Sequence, residues 1–79
     1  MKKVTISIDG INSIENAKKL DRSLNELSGI VAADVSLAED KAYVYAGDQL
    51  SQMSILKAVS RSGLAGMIDQ EEYYSEVYE

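Results

Sequence analysis

The chain has no cysteine and no histidine, and these two absences exclude more functions than any motif in it supports. Without cysteine it cannot form a disulfide, and without either residue a structural zinc ion lacks its ordinary ligands. The thiol and imidazole groups that most often serve as nucleophile or general acid–base are missing as well. No serine lies in a Gly-x-Ser-x-Gly elbow, and phosphate-binding glycine loops are absent. The sequence therefore predicts a protein that is not an enzyme and has no cofactor.

Long apolar runs and an excess of basic charge are also lacking. No apolar run approaches the ~20 residues of a membrane span, so we expect no membrane insertion. The amino terminus shows no signal peptide, which makes the cytoplasm the expected location. The formal net charge is −5, which argues against nucleic acid because phosphate contacts need clustered Lys and Arg. This acidity favours a basic protein partner only weakly, since solubility alone explains it as well.

The hydrophobic pattern that is present predicts one small α+β domain. Alternation with a period of two predicts four strands, at 4–8, 31–37, 42–46 and 65–69. Apolar stripes at steps of three and four predict two helices, one after Asn12 and one after Ser51. The order is βαββαβ, which indicates a ferredoxin-like fold: an antiparallel four-stranded sheet with two helices on one face.

Polar and glycine residues predict where these elements begin and end. Asn12 with Glu15 forms a capping-box pattern at the first helix, and Ser51 is the expected N-cap of the second. Gly29 and Gly63 are expected to close the two helices.

The chain divides by composition into a domain at 1–69 and an acidic, tyrosine-rich extension at 70–79, which we expect to be a solvated tail. A rival interpretation places the fourth strand at 73–78, where β-propensity is higher. The earlier placement is favoured because Gly63 directly precedes it and short connections are common.

The first loop carries a family resemblance. After the opening strand the chain reads Gly10-Ile11-Asn12-Ser13-Ile14-Glu15-Asn16. This stretch, with the spacing of the apolar and glycine positions up to about residue 68, resembles the heavy-metal-associated (HMA) domain family of copper chaperones and copper-pumping P-type ATPases. In that family the loop reads Gly-Met-x-Cys-x-x-Cys, and two thiolates hold a soft metal ion. Ser13 and Asn16 stand at the two cysteine positions, and Ile11 stands at the methionine.

The resemblance implies the fold and, at the same time, the loss of the metal site. The Ser13 hydroxyl and the Asn16 amide are hard, neutral groups that would not retain a soft ion against cellular thiols. Leu64 follows Gly63 where the family often has an aromatic residue or a lysine. Family members dock onto homologous domains of a transporter, so the resemblance implies a protein partner within a metal-transport system.

Two other functions stay open at this point. Asp9, Asn12, Glu15 and Asn16 offer oxygen atoms near one loop, which suggests an atypical site for a hard metal ion. Such ions usually require six to eight oxygens with several carboxylates, so a capped helix start is the favoured interpretation. The second alternative is a small-ligand regulatory domain, since ferredoxin-like folds often support one.

Tyr43 and Tyr45 are the candidate interaction residues. If Ala42 and Val44 face the helices, both tyrosines lie on the open face of the sheet, where paired aromatic rings can anchor a partner. Tyrosine is also simply a good strand former. The predicted edge strand at 31–37 has neither proline nor lysine to block pairing. We therefore predict protein–protein interaction, either as a homodimer or with a metal-transporter domain.

Overall fold

The computed structural model describes residues 1–74 and confirms the ferredoxin-like βαββαβ fold. The elements are β1 (Lys2–Asp9), α1 (Ile14–Asn25), β2 (Ile30–Ser36), β3 (Lys41–Ala46), α2 (Gln52–Arg61) and β4 (Ala65–Tyr73). Every neighbouring pair of strands is antiparallel, and the order across the sheet is β2-β3-β1-β4. The second and fourth strands therefore form the edges, as expected.

The core lies between one face of the sheet and the two helices. Alternate residues of the central strands β1 and β3 point into it, and the helices cover them with their apolar stripes. The largest fully buried side chains are Val4, Ile6, Leu20, Leu24, Val44, Ile55 and Val59. Burial of each side chain stabilises the fold by about 1.5–3 kcal/mol relative to leaving it exposed. This burial stabilises a chain that has no disulfide. Within residues 1–74 no helix covers the other face of the sheet.

The first helix begins one residue later than predicted. Ser13, not Asn12, is the N-cap: its backbone is extended and its Oγ accepts a hydrogen bond from the Asn16 backbone N–H at 3.2 Å. Asn12 is exposed. The Asn12–Glu15 capping box is therefore wrong, because the loop after Gly10, whose φ is 100°, runs one residue further before the helix starts.

The two predicted glycine closures have different outcomes. Gly63 does occupy C′ of α2 with φ 85°, donating to the Ser60 carbonyl at 3.0 Å, while Leu64 donates to the Val59 carbonyl at 3.4 Å. These two bonds make a Schellman motif. Helix α1 ends earlier, with Glu26 as C-cap, so Gly29 instead turns the chain into β2.

The edge strand β2 contains a bulge that the alternation did not predict. Ile30 pairs with Ala46, but Ala32 pairs with Tyr45, so Val31 is an extra residue. Val31 is 66% exposed, whereas Ile30, Ala33 and Val35 pack against the core. Val31 therefore does not share the inward face of Ala33 and Val35.

The fourth strand starts where the sequence placed it and continues four residues further. It has its own bulge at Asp69, because Ile6 pairs with Ile68 while Thr5 pairs with Gln70. Residues 70–73 of the expected extension are thus strand residues paired with β1. Most of the rival strand at 73–78 lies outside the described residues.

Candidate functional site

The two positions that align with the family's cysteines are hydrogen-bonded to each other. The Ser13 hydroxyl donates to Asn16 Oδ1 at 3.1 Å and accepts from the Asn16 backbone N–H at 3.2 Å. Asn16 Nδ2 donates in turn to the Gly10 carbonyl at 3.3 Å. These bonds tie the first turn of α1 to the end of β1, so both polar side chains are already engaged in holding the loop.

Apolar side chains pack beneath this loop. Ile11 is buried, as expected for the residue that replaces the family's methionine, and Leu64 is nearly as buried. A Cβ placed on Gly10 would lie 3.3 Å from Leu64 Cδ2, so Leu64 closes directly against the loop backbone. Leu64 therefore packs against the loop at the position where the family often has an aromatic residue or a lysine.

The loop offers only two carboxylates, Asp9 and Glu15, for a hard metal ion. Among residues 1–74, no cluster of three or more histidine, cysteine, aspartate or glutamate side chains is placed to hold a metal. Asp9, Asn12 and Glu15 are exposed, and Asn16 uses both ends of its amide in the loop. The arrangement is that of a capped helix start.

Tyr43 and Tyr45 lie side by side on the open face of the sheet. Both are half-buried, and Lys3 on the neighbouring strand lies over them, with its Nζ 5.2 Å and 5.8 Å from the two ring centroids. At these distances a cation interacts favourably with the ring faces. The Tyr43 hydroxyl donates to a Glu39 carboxylate oxygen, and this hydrogen bond raises the pKa of Tyr43.

An ion pair between β3 and β4 lies on the same face. Lys41 Nζ lies 2.7 Å from Asp69 Oδ2, and the Ser7 hydroxyl also donates to this oxygen. The hydrogen bond from Lys41, followed by that from Ser7, lowers the pKa of Asp69. Met67, also on this face, is 69% exposed. The open face thus carries aromatic and aliphatic side chains together with charged residues from β1, β3 and β4.

A second ion pair lies on the helix side of the sheet. Lys2 Nζ is 3.2 Å from Glu71 Oε1, and the two side chains are only 4% and 17% exposed. Glu71 also accepts hydrogen bonds from the Gln52 side chain at 3.2 Å and the Tyr73 hydroxyl at 3.0 Å. The Gln52 bond is the main cause that lowers the pKa of Glu71.

Sequence reasoning missed this pair, although one signal pointed to it. Lys2 has the same parity as Val4, Ile6 and Ile8, so the alternation of β1 places it on the buried face. Its partner could not be found in the same way, because the bulge at Asp69 brings Glu71 to that face.

A cavity of about 750 Å³ lies at the end of the sheet away from the loop. It is lined mainly by turn residues, among them Ser28, Gly29, Gly47 and Gln49, and by the exposed carboxylate of Asp48. This lining offers no buried polar group to select a ligand, so the small-ligand alternative gains nothing from it. No helix in residues 1–74 has the length and apolarity needed to cross a membrane.

Solved structures with the same fold include metal-binding domains. A domain from HMA7, a P-type ATPase, described as copper binding, is 20% identical with a TM-score of 0.87, covering 92% of this chain and 100% of that chain. The yeast copper transporter domain Ccc2a is 18% identical with a TM-score of 0.84, covering 91% and 100%. Oxidized MerP from Ralstonia metallidurans CH34 is 21% identical with a TM-score of 0.82, covering 89% and 100%.

At these identities the likeness establishes the fold, which is the one that the resemblance implied. No protein-family model matches the chain, and no curated protein is similar to it in sequence.

Proposed function

We propose that the protein is a non-catalytic domain of the heavy-metal-associated type that has lost its soft-metal site and acts by binding another protein. The observation that carries the proposal is the Ser13–Asn16 hydrogen-bonded pair, because it fills the two ligand positions with groups that hold the loop together. Neither group ionises at ordinary pH, so neither competes with a thiolate for a soft ion.

The partner is either a second copy of this chain or a domain of a metal transporter. Support for the transporter comes from the fold shared with a domain of a P-type ATPase and with a domain of the yeast copper transporter. The open face with Tyr43 and Tyr45 is the proposed docking surface, since large half-buried rings surrounded by charges are typical of interface centres. The cytoplasm is the expected location.

The lost site is tested by titration with Cu(I) in competition with glutathione, read by native mass spectrometry. We expect the wild type to retain no copper. Ser13→Cys with Asn16→Cys should bind one ion, because the loop frame around both positions is intact. A stoichiometric copper complex of the wild type would overturn the proposal.

A matched control is available in the second helix. Ser51 caps α2 through the Ser54 backbone N–H at 3.1 Å, so Ser51→Cys with Ser54→Cys places two thiols at the same spacing on another helix start. We expect this variant to bind copper more weakly. Equal affinity would show that the first loop contributes nothing beyond two nearby thiols.

The interaction surface is tested by replacing Tyr43 and Tyr45 together with serine. Sedimentation velocity over a hundredfold concentration range, on the order of micromolar to sub-millimolar, should show self-association of the wild type that the variant loses. A wild type that stays monomeric would contradict self-association and leave a transporter domain as the partner.

A further inference from the structure

Charge is distributed very unevenly between the helices and the rest of the chain. The helices α1 and α2 carry five of the eight basic residues and two of the thirteen acidic residues, a net charge of +3. The rest of the chain therefore has a net charge of −8, and the two parts together give the total of −5. A nearly neutral or uniformly acidic surface would serve solubility as well, so this segregation points to a surface that meets an opposite charge.

The basic residues of the helices are all exposed on the outer side. They are Lys18, Lys19, Arg22, Lys57 and Arg61. Within residues 1–74 none of them forms an ion pair. In contrast, Lys2 and Lys41 on the sheet are paired with carboxylates, and Lys3 lies over the two tyrosine rings. The helix layer thus keeps an excess of positive charge within the described part of the molecule.

The open face of the sheet has the complementary character. By strand alternation and pairing it carries four carboxylates, those of Asp9, Asp34, Asp69 and Glu72, against the two lysines Lys3 and Lys41. Both outer surfaces also expose apolar side chains. Met67 lies on the open face at 69% exposure, and Met53 lies beside Lys57 on the outer side of α2 at 64%.

We propose that copies of this chain associate head to tail, with the outer helix layer of one copy docked on the open sheet face of the next. This inference rests on the proposed function and specifies its self-association. A symmetric dimer through either surface would oppose like charges, whereas helix layer on sheet face pairs opposite charges. Such a heterologous contact leaves one free surface of each kind, so it extends into a chain of copies unless a ring closes.

The contact is weak because the sheet is small. Four strands about 4.8 Å apart and about 25 Å long give a face well below the roughly 800 Å² that each partner buries in a stable interface. The net charge of −5 also opposes close approach. We therefore expect association only at high micromolar concentration or above, weakened by added salt as the local charge pairs are screened.

The experiment uses two charge-reversed variants of the full chain, each checked for folding by circular dichroism. The helix variant carries Lys18→Glu, Arg22→Glu and Lys57→Glu. The sheet variant carries Asp9→Lys, Asp34→Lys and Glu72→Lys, and leaves the Lys41–Asp69 pair in place. Sedimentation velocity is measured for the wild type, for each variant alone and for an equimolar mixture.

We expect the wild type to form species larger than a dimer and each variant alone to be monomeric. The mixture should associate again, because each variant's reversed surface then meets its opposite on the other variant. A mixture that stays monomeric while both variants are folded would overturn the head-to-tail arrangement.

Other results separate this inference from the proposed function. A helix variant that associates like the wild type would overturn the head-to-tail contact but leave self-association through the tyrosine face standing. A wild type that is monomeric at sub-millimolar concentration would overturn the inference and leave only a transporter domain as partner for the proposed function.

Discussion

Ser13 and Asn16 occupy the N-cap and third helical positions of α1, and these positions suit two kinds of chemistry. The free backbone N–H groups of a helix start lower the pKa of a thiol placed there, which favours a metal-binding thiolate. One of these groups, the Asn16 backbone N–H, here donates to the uncharged Ser13 Oγ at 3.2 Å. In this chain a hydrogen-bonded cap therefore occupies the positions that the resemblance matches to the two thiolates.

The cap is a testable feature of single residues. Ser13→Ala should lower the free energy of unfolding by about 1 kcal/mol, because one backbone N–H at the helix start loses its acceptor. Asn12→Ala is the matched control: Asn12 is exposed and not the cap, so a change within about 0.5 kcal/mol is expected. Urea unfolding of the three proteins measures both. A larger loss for Asn12→Ala than for Ser13→Ala would place the cap at Asn12 after all.

For the Lys2–Glu71 pair, removal of one partner should destabilise the fold more than removal of both. Glu71→Ala should cost roughly 2 kcal/mol, because it leaves the buried Lys2 ammonium without its carboxylate. Lys2→Met combined with Glu71→Leu should recover most of this loss, since apolar side chains of similar size replace a buried pair at little cost.

The neighbouring glutamate is the control for that experiment. Glu72→Ala changes the same strand by the same truncation, but Glu72 lies on the open face beside Lys3. Thermal or urea unfolding should show a change within about 0.5 kcal/mol. If Glu71→Ala and Glu72→Ala were equally mild, the buried ion pair would contribute nothing to stability.

At the scale of elements, the hydrophobic pattern predicted the order, type and approximate bounds of all six. Val4, Ile6 and Ile8 alternate without interruption, and the structure buries all three. The pattern fails where a strand contains an extra residue. At Val31 and at Asp69 the period of two is shifted by one, and nothing in either residue type marks the shift. Both bulges lie on the edge strands, where they also disturb pairing with a further strand.

These bulges explain what could not be predicted about the candidate site. Tyr43 and Tyr45 lie on regular β3 opposite regular β1, so their place on the open face followed from alternation. The Lys2–Glu71 pair depends on the β4 bulge, which brings Glu71 to the helix face, whereas the alternation of Ala65 and Met67 already places Asp69 on the open face. The sequence alone therefore located the aromatic centre of the open face but not the Lys2–Glu71 pair on the helix side of the sheet.

One glycine of β4 is needed for packing rather than for a turn. A Cβ on Gly66 would lie 3.0 Å from Ile6 Cγ2 and 3.2 Å from Val59 Cγ1, both in the core. Gly66→Ala should therefore cost about 1–3 kcal/mol through overpacking. Gly47→Ala is the control, since the nearest atom to its Cβ is the Gly29 carbonyl oxygen at 4.0 Å. Urea unfolding should leave the Gly47 variant within about 0.5 kcal/mol of the wild type. Equal effects would argue against close packing of β4 on the core.

At the scale of the whole molecule, the absence of histidine and cysteine shapes how stability depends on pH. No side chain of the chain has an ordinary pKa between those of its carboxylates and those of its tyrosines and lysines. The free energy of unfolding should therefore stay nearly constant from about pH 5.5 to about pH 7, above which the amino-terminal ammonium, 3.0 Å from Asp48 Oδ1, begins to lose its proton. Electrostatic stabilisation should change only outside this range.

The acid side of the range is set by Asp69 and Glu71. Hydrogen bonds from Lys41 and Gln52 hold their folded-state pKa values below the ordinary values of 3.8 and 4.5. As the pH falls, the unfolded chain consequently binds more protons than the folded chain. The stabilisation from these two groups is therefore complete above about pH 5 and is lost as the pH drops through their folded-state pKa values. Lys41 acts at the other end: its raised pKa gives stability that is complete below 10.5 and is lost as the pH rises further.

Unfolding in urea between pH 2.5 and pH 9 measures this profile. We expect a plateau, then a decline below about pH 4.5 that is shallower in Asp69→Asn and in Glu71→Gln, since each variant removes one group whose protonation opposes folding. Glu72→Gln makes the same change one position away on β4 and is the matched control. A decline in the free energy of unfolding that begins near pH 6.5 would contradict the assignment to Asp69 and Glu71, because only a carboxylate with a raised pKa titrates at that pH. An unchanged acid slope in both variants would show that neither ion pair persists in solution.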